Sequence, residues 1–416
     1  MQGSSDNKND TRRRGRHPGS RQGSNQSGIR AYNERLVLSL IRQTNGLAQS
    51  QIAKQTGLSA QTISVIIRAL EGAELLVRGT PQRGRVGQPS VPLSLNPEGV
   101  FSLGLMIGRR SIELILIDFV GNVRESIRTT IGYPQPEQVF TFAVMGVGRL
   151  IESLPERLRD RVTALGIATP FELWNWVDEI GAPPGAMDSW KSYDIRTELD
   201  LILPFPVFLQ NDATAACGAE LMLGCGGKYS DYLYFFIGVF AGGGIVLNGS
   251  VYSGRTGKAG ELGRMPIPGS YGTPLKLLDC ASLIVLEQSL KTAGYDPADL
   301  WRTRGDWSAI DDSALIDWWI DHTAFNLAHA IVSACCVIDF ETVIIDGGFP
   351  ANVRASLRDA TEAELRKIDM AVIEIPNVVE GRVGSGARAI GAACLPLFEG
   401  YLLDQTNLLR RRRAGD

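Results

Sequence analysis

No apolar run in the sequence approaches the roughly 18 residues that a membrane-spanning helix needs, and the first residues are polar. A bilayer anchor and a secretory signal are therefore not expected. Cysteine is sparse, six in 416 residues with no Cys-x-x-Cys pair, and only Cys335 and Cys336 are adjacent. That pattern excludes a disulfide framework and points to buried thiols in a reducing, cytoplasmic setting. With 44% hydrophobic residues, the chain is long enough to bury two or three cores.

The small net charge of −3 conceals two opposed halves. Residues 1–94 carry 14 Lys and Arg against 5 Asp and Glu, a net of +9, while the remaining 28 against 40 leave −12. The first part suits a polyanion and the second repels one. Residues 1–28, rich in Gly, Ser, Asn and Arg without apolar periodicity, read as a disordered basic tail. The basic excess continues into a segment with folded character.

Residues 29–95 read as a winged helix-turn-helix. Leu36, Val37, Leu40 and Ile41 share one helical face, closed by Asn45-Gly46. A short helix capped by Ser50 follows, then the Gly57-Leu58-Ser59 turn and a second helix capped by Ser59. Its inner stripe is Ile63, Ile66, Ile67 and Leu70. Its outer face offers Gln61, Ser64, Val65 and Arg68, with Thr62 at the flank. Such a helix enters the major groove, where these side chains read base edges. A hairpin then carries Arg83, Arg85 and Gln88 at its tip, a wing placed for phosphates or the minor groove. The bland alternative is a three-helix module for protein contact.

Residues 96–400 alternate apolar runs ending in Gly, Pro or Asp with helical stretches, the pattern of an α/β domain too large for one core. Two lobes around a cleft are expected. Asn211 and Asp212 end one such run ahead of a small-residue helix, so they read either as a helix cap or as ligand contacts.

The succession of wing, "NDA", "GGGI", "GELG", "DGG" and "GARAIGAA" resembles the ROK family (repressor, open reading frame, kinase) from about residue 30 to 400. The resemblance implies an actin-like, hexokinase-like pair of ribonuclease-H-fold lobes, in either a sugar kinase or a sugar-responsive regulator. Where the family's kinases have an Asp-x-Gly-Gly-Thr loop, this chain has Met106, Ile107, Gly108, Arg109 and Arg110. An arginine can hold phosphate, but Met106 cannot support magnesium. The second phosphate loop reads Gly238, Val239, Phe240, Ala241 and then Gly242 to Gly244, with its hydroxyl lost and a ring inserted. The family's zinc-bound His is Arg264 here, and Cys280 alone stands for its cysteine cluster, too few ligands for zinc.

The surviving set is Asn211, Asp212 and Glu261, joined by Arg264, which reads as an anion contact or as a salt-bridge partner of Glu261. Asp212, the counterpart of the kinase base, is expected to bind rather than catalyse. Trp174, Trp176 and Trp190 either stack on a sugar or pack between lobes. The family's Pro-Gly is Pro170-Phe171 here, and its sugar-contacting Asn has Met187-Asp188 as its nearest match. His322 and His329 read as structural. The C-terminal run Arg410 to Arg413 falls in residues 401–416, a basic tail that is solvated or adds DNA affinity.

The expectation is a homodimeric or homotetrameric regulator, without cofactor or metal, that binds an inverted-repeat operator and a sugar-derived effector. The competing readings are a kinase with an attached DNA-binding domain, and a DNA-binding protein whose large domain only oligomerises.

Overall fold

The computed structural model describes residues 26–403 except 45, 82–90, 269–273, 299, 301–306, 309, 311 and 370–372. Three helices, α1 (Gln26–Thr44), α2 (Gln49–Thr56) and α3 (Ala60–Gly72), form the N-terminal module. Gly57 takes a left-handed φ of 68° and donates its N–H to Ala53 O, which closes α2 and turns the chain into α3. Ser59 caps α3, its Oγ accepting from Thr62 N at 3.1 Å. Ile63, Ile66, Ile67 and Leu70 are buried, as their spacing requires.

Ser50 is not a cap. α2 starts at Gln49, and the Ala48 N–H is satisfied instead by the Gln51 side chain at 2.9 Å. The start is set by pairing of β1 (Leu47–Ala48) with β3 (Pro92–Leu95), a contact remote in sequence. β2 (Leu76–Arg78) also pairs with β3, giving the sheet order β1-β3-β2 and the stem of a wing. The tip residues Arg83, Arg85 and Gln88 lie outside the described residues.

Two five-stranded sheets follow. The first holds β4 (Phe101–Ile107), β5 (Ser111–Asp118), β6 (Val123–Thr130), β7 (Val162–Thr169) and β8 (Val207–Asn211) in the order β6-β5-β4-β7-β8. Its crossovers are α4 (Pro136–Glu152), the short α5 (Glu156–Arg159) and α6 (Val177–Ile180), and α7 (Ile195–Ile202). α8 (Asp212–Leu223) leaves β8.

The second sheet comprises β9 (Tyr232–Ile237), β10 (Ala241–Leu247), β11 (Ser250–Val251), β14 (Thr342–Gly347) and β15 (Asn377–Glu380), ordered β11-β10-β9-β14-β15. A small ribbon, β12 (Pro266–Ile267) with β13 (Leu275–Lys276), sits beside it. Its helices are α9 (Leu278–Ala281), α10 (Leu283–Thr292), α11 (Ser313–Cys335), α12 (Ala351–Leu365) and finally α13 (Ala387–Gly400).

Both sheets thus repeat one topology: three antiparallel strands, then two parallel ones. The helix after the fifth strand of each lobe packs on the other lobe's sheet, α13 on β4 and β7, α8 on β9 and β10. The two helices also pack tightly on each other. A Cβ on Gly391 would lie 1.9 Å from Ala215 O, and one on Gly166 would lie 1.8 Å from Ala392 O. Gly391→Val is accordingly expected to force α8 and α13 apart, at about 2 kcal/mol. Urea unfolding reads this directly, and an unchanged midpoint would mean that the two helices separate without cost.

The N-terminal module shares one apolar cluster with the first lobe. Leu36, Leu38 and Ile41 of α1 join Phe119, Met222, Leu397, Leu402 and Leu403. Residues 401–403, counted with the tail in the sequence, therefore pack on α1. Arg35 donates to Phe398 O at 2.8 Å and to Leu402 O, Leu403 N–H donates to Ser39 Oγ at 2.8 Å, and Arg42 bonds Met222 O.

Candidate functional site: a charged interlobe cleft under a winged helix

The end of β8 delivers Asn211 and Asp212 to the cleft between the lobes. Asn211 is the helix cap: its Oδ1 accepts from Ala213 N at 3.0 Å and Thr214 N at 3.2 Å. Its Nδ2 still reaches Glu261 Oε1 at 3.4 Å. Asp212 is the first helical residue and is buried. Its Oδ2 accepts from Arg388 Nη1 at 3.2 Å and lies 3.9 Å from Arg109 Nη1.

Arg109 comes from the β4–β5 turn, and its guanidinium sits 3.9 Å over Trp176 and 4.8 Å over Phe240. The two rings are themselves in contact, at 4.7 Å between centroids. Arg388, near the start of α13, lies 5.2 Å over Phe236. Such cation–π seats fix the orientation of a guanidinium and offset part of its desolvation.

Glu261 is half-buried. Burial raises its carboxyl above the usual carboxylate range, Arg264 draws it back and Asp212 raises it further. Arg264 lies 3.9 Å from Glu261 and 5.7 Å from the Trp176 ring, and its side chain is about half exposed. Lys258 pairs with Glu172 at 2.7 Å across the mouth.

These groups line a cavity of about 400 Å³, a volume suited to a small polar ligand. All four residues expected from the sequence, Asn211, Asp212, Glu261 and Arg264, meet there. Trp176 combines both readings of the loop tryptophans: it packs against Phe240 of the other lobe and walls the cavity. Trp190 is buried with its Nε1 on Pro134 O at 2.9 Å, and Trp174 packs on the first-lobe core.

Arg388 and Lys258 were missed in the sequence. Arg388 did leave a signal, as the one cation in the small-residue run "GARAIGAA". A second cavity of about 450 Å³ adjoins the first. Met106, Gly108, Arg110, Gly238 and Val239 line it, and Arg109 and Arg388 form walls of both.

On the N-terminal module, Ser59, Gln61, Thr62, Val65 and Arg68 are exposed at the start and outer face of α3, and Ser64 is half-buried. Ser59 is committed to its cap, and its hydroxyl is 2.8 Å from that of Thr62. Arg68 Nε donates to Ser64 O at 3.3 Å. His322 stacks on Trp318 at 5.3 Å, and His329 Nδ1 lies 2.9 Å from Phe325 O, both within α11.

A winged helix carried on a two-lobed, hexokinase-like α/β domain with a ligand-sized cleft is the class that fold and site define. Residues 102–397 match the model of the ROK family and residues 32–81 that of the MarR family. The chain belongs to the ROK family. An uncharacterized protein, y4fQ, of Sinorhizobium fredii is 24% identical over 385 residues, 89% of this chain and 92% of its own length. A xylose repressor of Bacillus subtilis is 23% identical over 242 residues, 58% of this chain, so that the match spans 62% of the repressor.

Among solved structures, a ROK family transcriptional regulator homologous to the E. coli MLC protein aligns with a TM-score of 0.65 at 22% identity, over 92% of this chain and 98% of that one. A ROK family glucokinase from Streptomyces griseus, solved with glucose and AMPPNP, aligns at 0.56 with 21% identity, over 71% and 98%. At these identities the structural likeness speaks for the fold.

Proposed function

We propose that this chain is a transcriptional repressor whose operator affinity is set by a sugar-derived effector in the interlobe cleft. One observation carries the reading. α8 and α13 begin at the cleft, on the Asp212–Arg388 pair, and end against α1 of the winged helix, through Arg42 on Met222 O and Arg35 on Phe398 O. A ligand that prefers one arrangement of the cleft thereby biases the placement of the DNA-reading module. The xylose-repressor relatives and the match to the MarR family support the same assignment.

On this reading Gln61, Thr62, Ser64 and Arg68 face base edges, with Ser59 holding the helix start and Arg83, Arg85 and Gln88 on the wing. Asn211, Asp212, Glu261 and Arg264 face the effector. A homodimer or homotetramer presents paired α3 helices to an inverted repeat in the cytoplasm. Among the described residues no helix is long and apolar enough to cross a membrane.

Kinases also occur in the family, and we infer that this chain is not one. Phosphoryl transfer depends on placed charge and metal contacts. Here Met106 stands for the metal-supporting acid, Val239 and Phe240 interrupt the second loop, and Arg264 replaces the zinc-bound His. Incubation with ATP, magnesium and a hexose is expected to form no sugar phosphate above background. A phosphorylated hexose that disappears in Asp212→Asn would restore the kinase. The regulatory reading is tested by operator binding, followed by fluorescence anisotropy, against a panel of sugars and sugar derivatives.

A further inference from the structure

We propose that two copies of this chain pair through α11, whose outer face is an aromatic seam that packs antiparallel on the same seam of the second copy. The proposal rests on the reading of the protein as a homo-oligomer and names the surface that joins its subunits. It starts from composition. α11 runs for 23 residues without Lys, Arg or Glu, and its only acids are Asp317 and Asp321. α12, in the same lobe, carries five charged residues in fifteen. A helix that meets water along one side is ordinarily polar and charged there, as α12 is.

Among the described residues, only one side of α11 is covered. Trp319, Ala324, Leu327 and Ile331 are buried in the core of the second lobe. On the opposite side Leu315, Trp318, His322, Phe325, His329 and Val332 recur at alternating spacings of three and four, the period of a heptad seam. Each is exposed or half-buried, with Trp318 at 45% and Phe325 at 46%. Large aromatic side chains standing half in water along one stripe mark a contact surface, since such residues are enriched where chains meet.

The stripe is also ordered. The Trp318 ring stacks on His322 at 5.3 Å with 8° between the planes, and Phe325 lies 4.4 Å from His329. Side chains already fixed lose little freedom when a partner covers them.

Charge selects the partner and its direction. Both acids lie in the N-terminal half of α11, and His329 lies in the C-terminal half. Parallel copies would set Asp317 and Asp321 against their own counterparts. Antiparallel copies, related by a two-fold axis close to Phe325, separate the four carboxylates. They place the acidic half of each helix on the histidine-bearing half of the other, with the two helix dipoles opposed. The seam is thus its own complement, and an isologous contact of this kind closes at two subunits.

The test uses the full-length protein in sedimentation equilibrium from nanomolar to micromolar concentration. Phe325→Glu puts a carboxylate in the middle of the seam, at a position already half open to water in the single chain. The variant should therefore fold, which circular dichroism checks. It is expected to raise the dimer dissociation constant about a hundredfold or more, while Phe325→Leu stays within about tenfold of wild type. Direction is read by cross-linking with a short bis-maleimide, because Cys336 is the one exposed cysteine of the chain. Phe325→Cys combined with Cys336→Ser is expected to link to its own counterpart across the axis. Wild type is not, since antiparallel pairing holds the two Cys336 residues about 33 Å apart.

A wild-type chain that stays monomeric at micromolar concentration would overturn the proposal and the homo-oligomer reading together. A dimer indifferent to Phe325→Glu overturns the assignment to α11 alone. Should that variant keep its dimer but melt at a lower temperature, the seam is covered from within the chain, and the assignment falls again. Efficient linking through Cys336 in wild type would overturn the antiparallel arrangement.

Discussion

Asp212→Ala is expected to lower the unfolding free energy by about 3 kcal/mol and to abolish any effect of the ligand on operator binding. Asp212 is 7% exposed, and its carboxylate is shared by Arg388 and Arg109. Removing it takes from two guanidiniums of low exposure the carboxylate they share, a change that typically costs more than the intact pair contributes. Added salt should restore little of the loss, since screening acts weakly on buried charges. Asp212→Asn keeps an acceptor for Arg388 but no charge, and should fall between the two. The functional loss follows from position, because Arg388 lies near the start of the helix whose far end seats α1. Urea denaturation together with operator titration, with and without the best-binding member of the sugar panel, checks both halves. An Asp212→Ala protein within about 0.5 kcal/mol of wild type that still responded to ligand would make the ion pair incidental.

Replacing Gln61 and Arg68 together by alanine is expected to weaken operator binding about a hundredfold or more, since each side chain bonded to a base edge contributes about 1–3 kcal/mol. Both side chains are exposed on α3, whose opposite stripe of Ile63, Ile66, Ile67 and Leu70 holds the helix to its core. The double variant should thus melt like wild type. Ser59→Ala is different in kind, since it removes the α3 cap and costs about 1 kcal/mol of stability as well as any bond to DNA. Binding to scrambled duplex should be much less affected by the double change than binding to operator, because that mode is carried by phosphate contacts. Arg85→Ala should do the reverse, weakening all sequences alike and flattening the salt dependence. Anisotropy titrations with operator and scrambled DNA at two salt concentrations distinguish the cases. A double variant that still discriminates between them as wild type does would remove α3 from sequence reading.

The elements legible in the sequence were those written in local periodicity. The α3 stripe, the Gly57 turn and the apolar runs of β4, β5, β7, β9 and β14 all follow from spacing that neighbouring residues enforce. Distant pairing was not visible. Ser50 looked like a cap because the Leu47–Leu93 pairing that starts α2 earlier joins positions far apart in the chain. The central ion pair joins residues 109, 212 and 388, from a turn and the starts of two helices, and no local pattern links them. Arg109 stands in the sequence only as a substitution in a phosphate loop, and its seat over the Trp176 and Phe240 rings depends on both lobes. Of three loop tryptophans alike in composition, the one that lines the cleft is set apart by its contact with Phe240 of the other lobe, not by burial, since Trp190 is as buried as Trp176. The family motifs still carried four residues to one cavity, Asn211 and Asp212 from the end of β8 and Glu261 and Arg264 from the turn ahead of β12.

The seat of α1 bears on how such proteins can be re-engineered and how they diversify. Its apolar face is completed by Leu397, Leu402 and Leu403, from the opposite end of the chain. The reader of DNA is therefore no detachable cassette. A swap of residues 26–95 alone between two family members would pair each α1 with a foreign C-terminal segment, and the graft would inherit a mismatched floor. Exchange of the C-terminal segment along with the N-terminal module should rescue such chimaeras. Redesign of operator choice is best confined to the outer face of α3, where residues change without disturbing that joint. Lineages acquiring new operators would do so by substitution on that face, while the two chain ends co-vary to keep the floor beneath it.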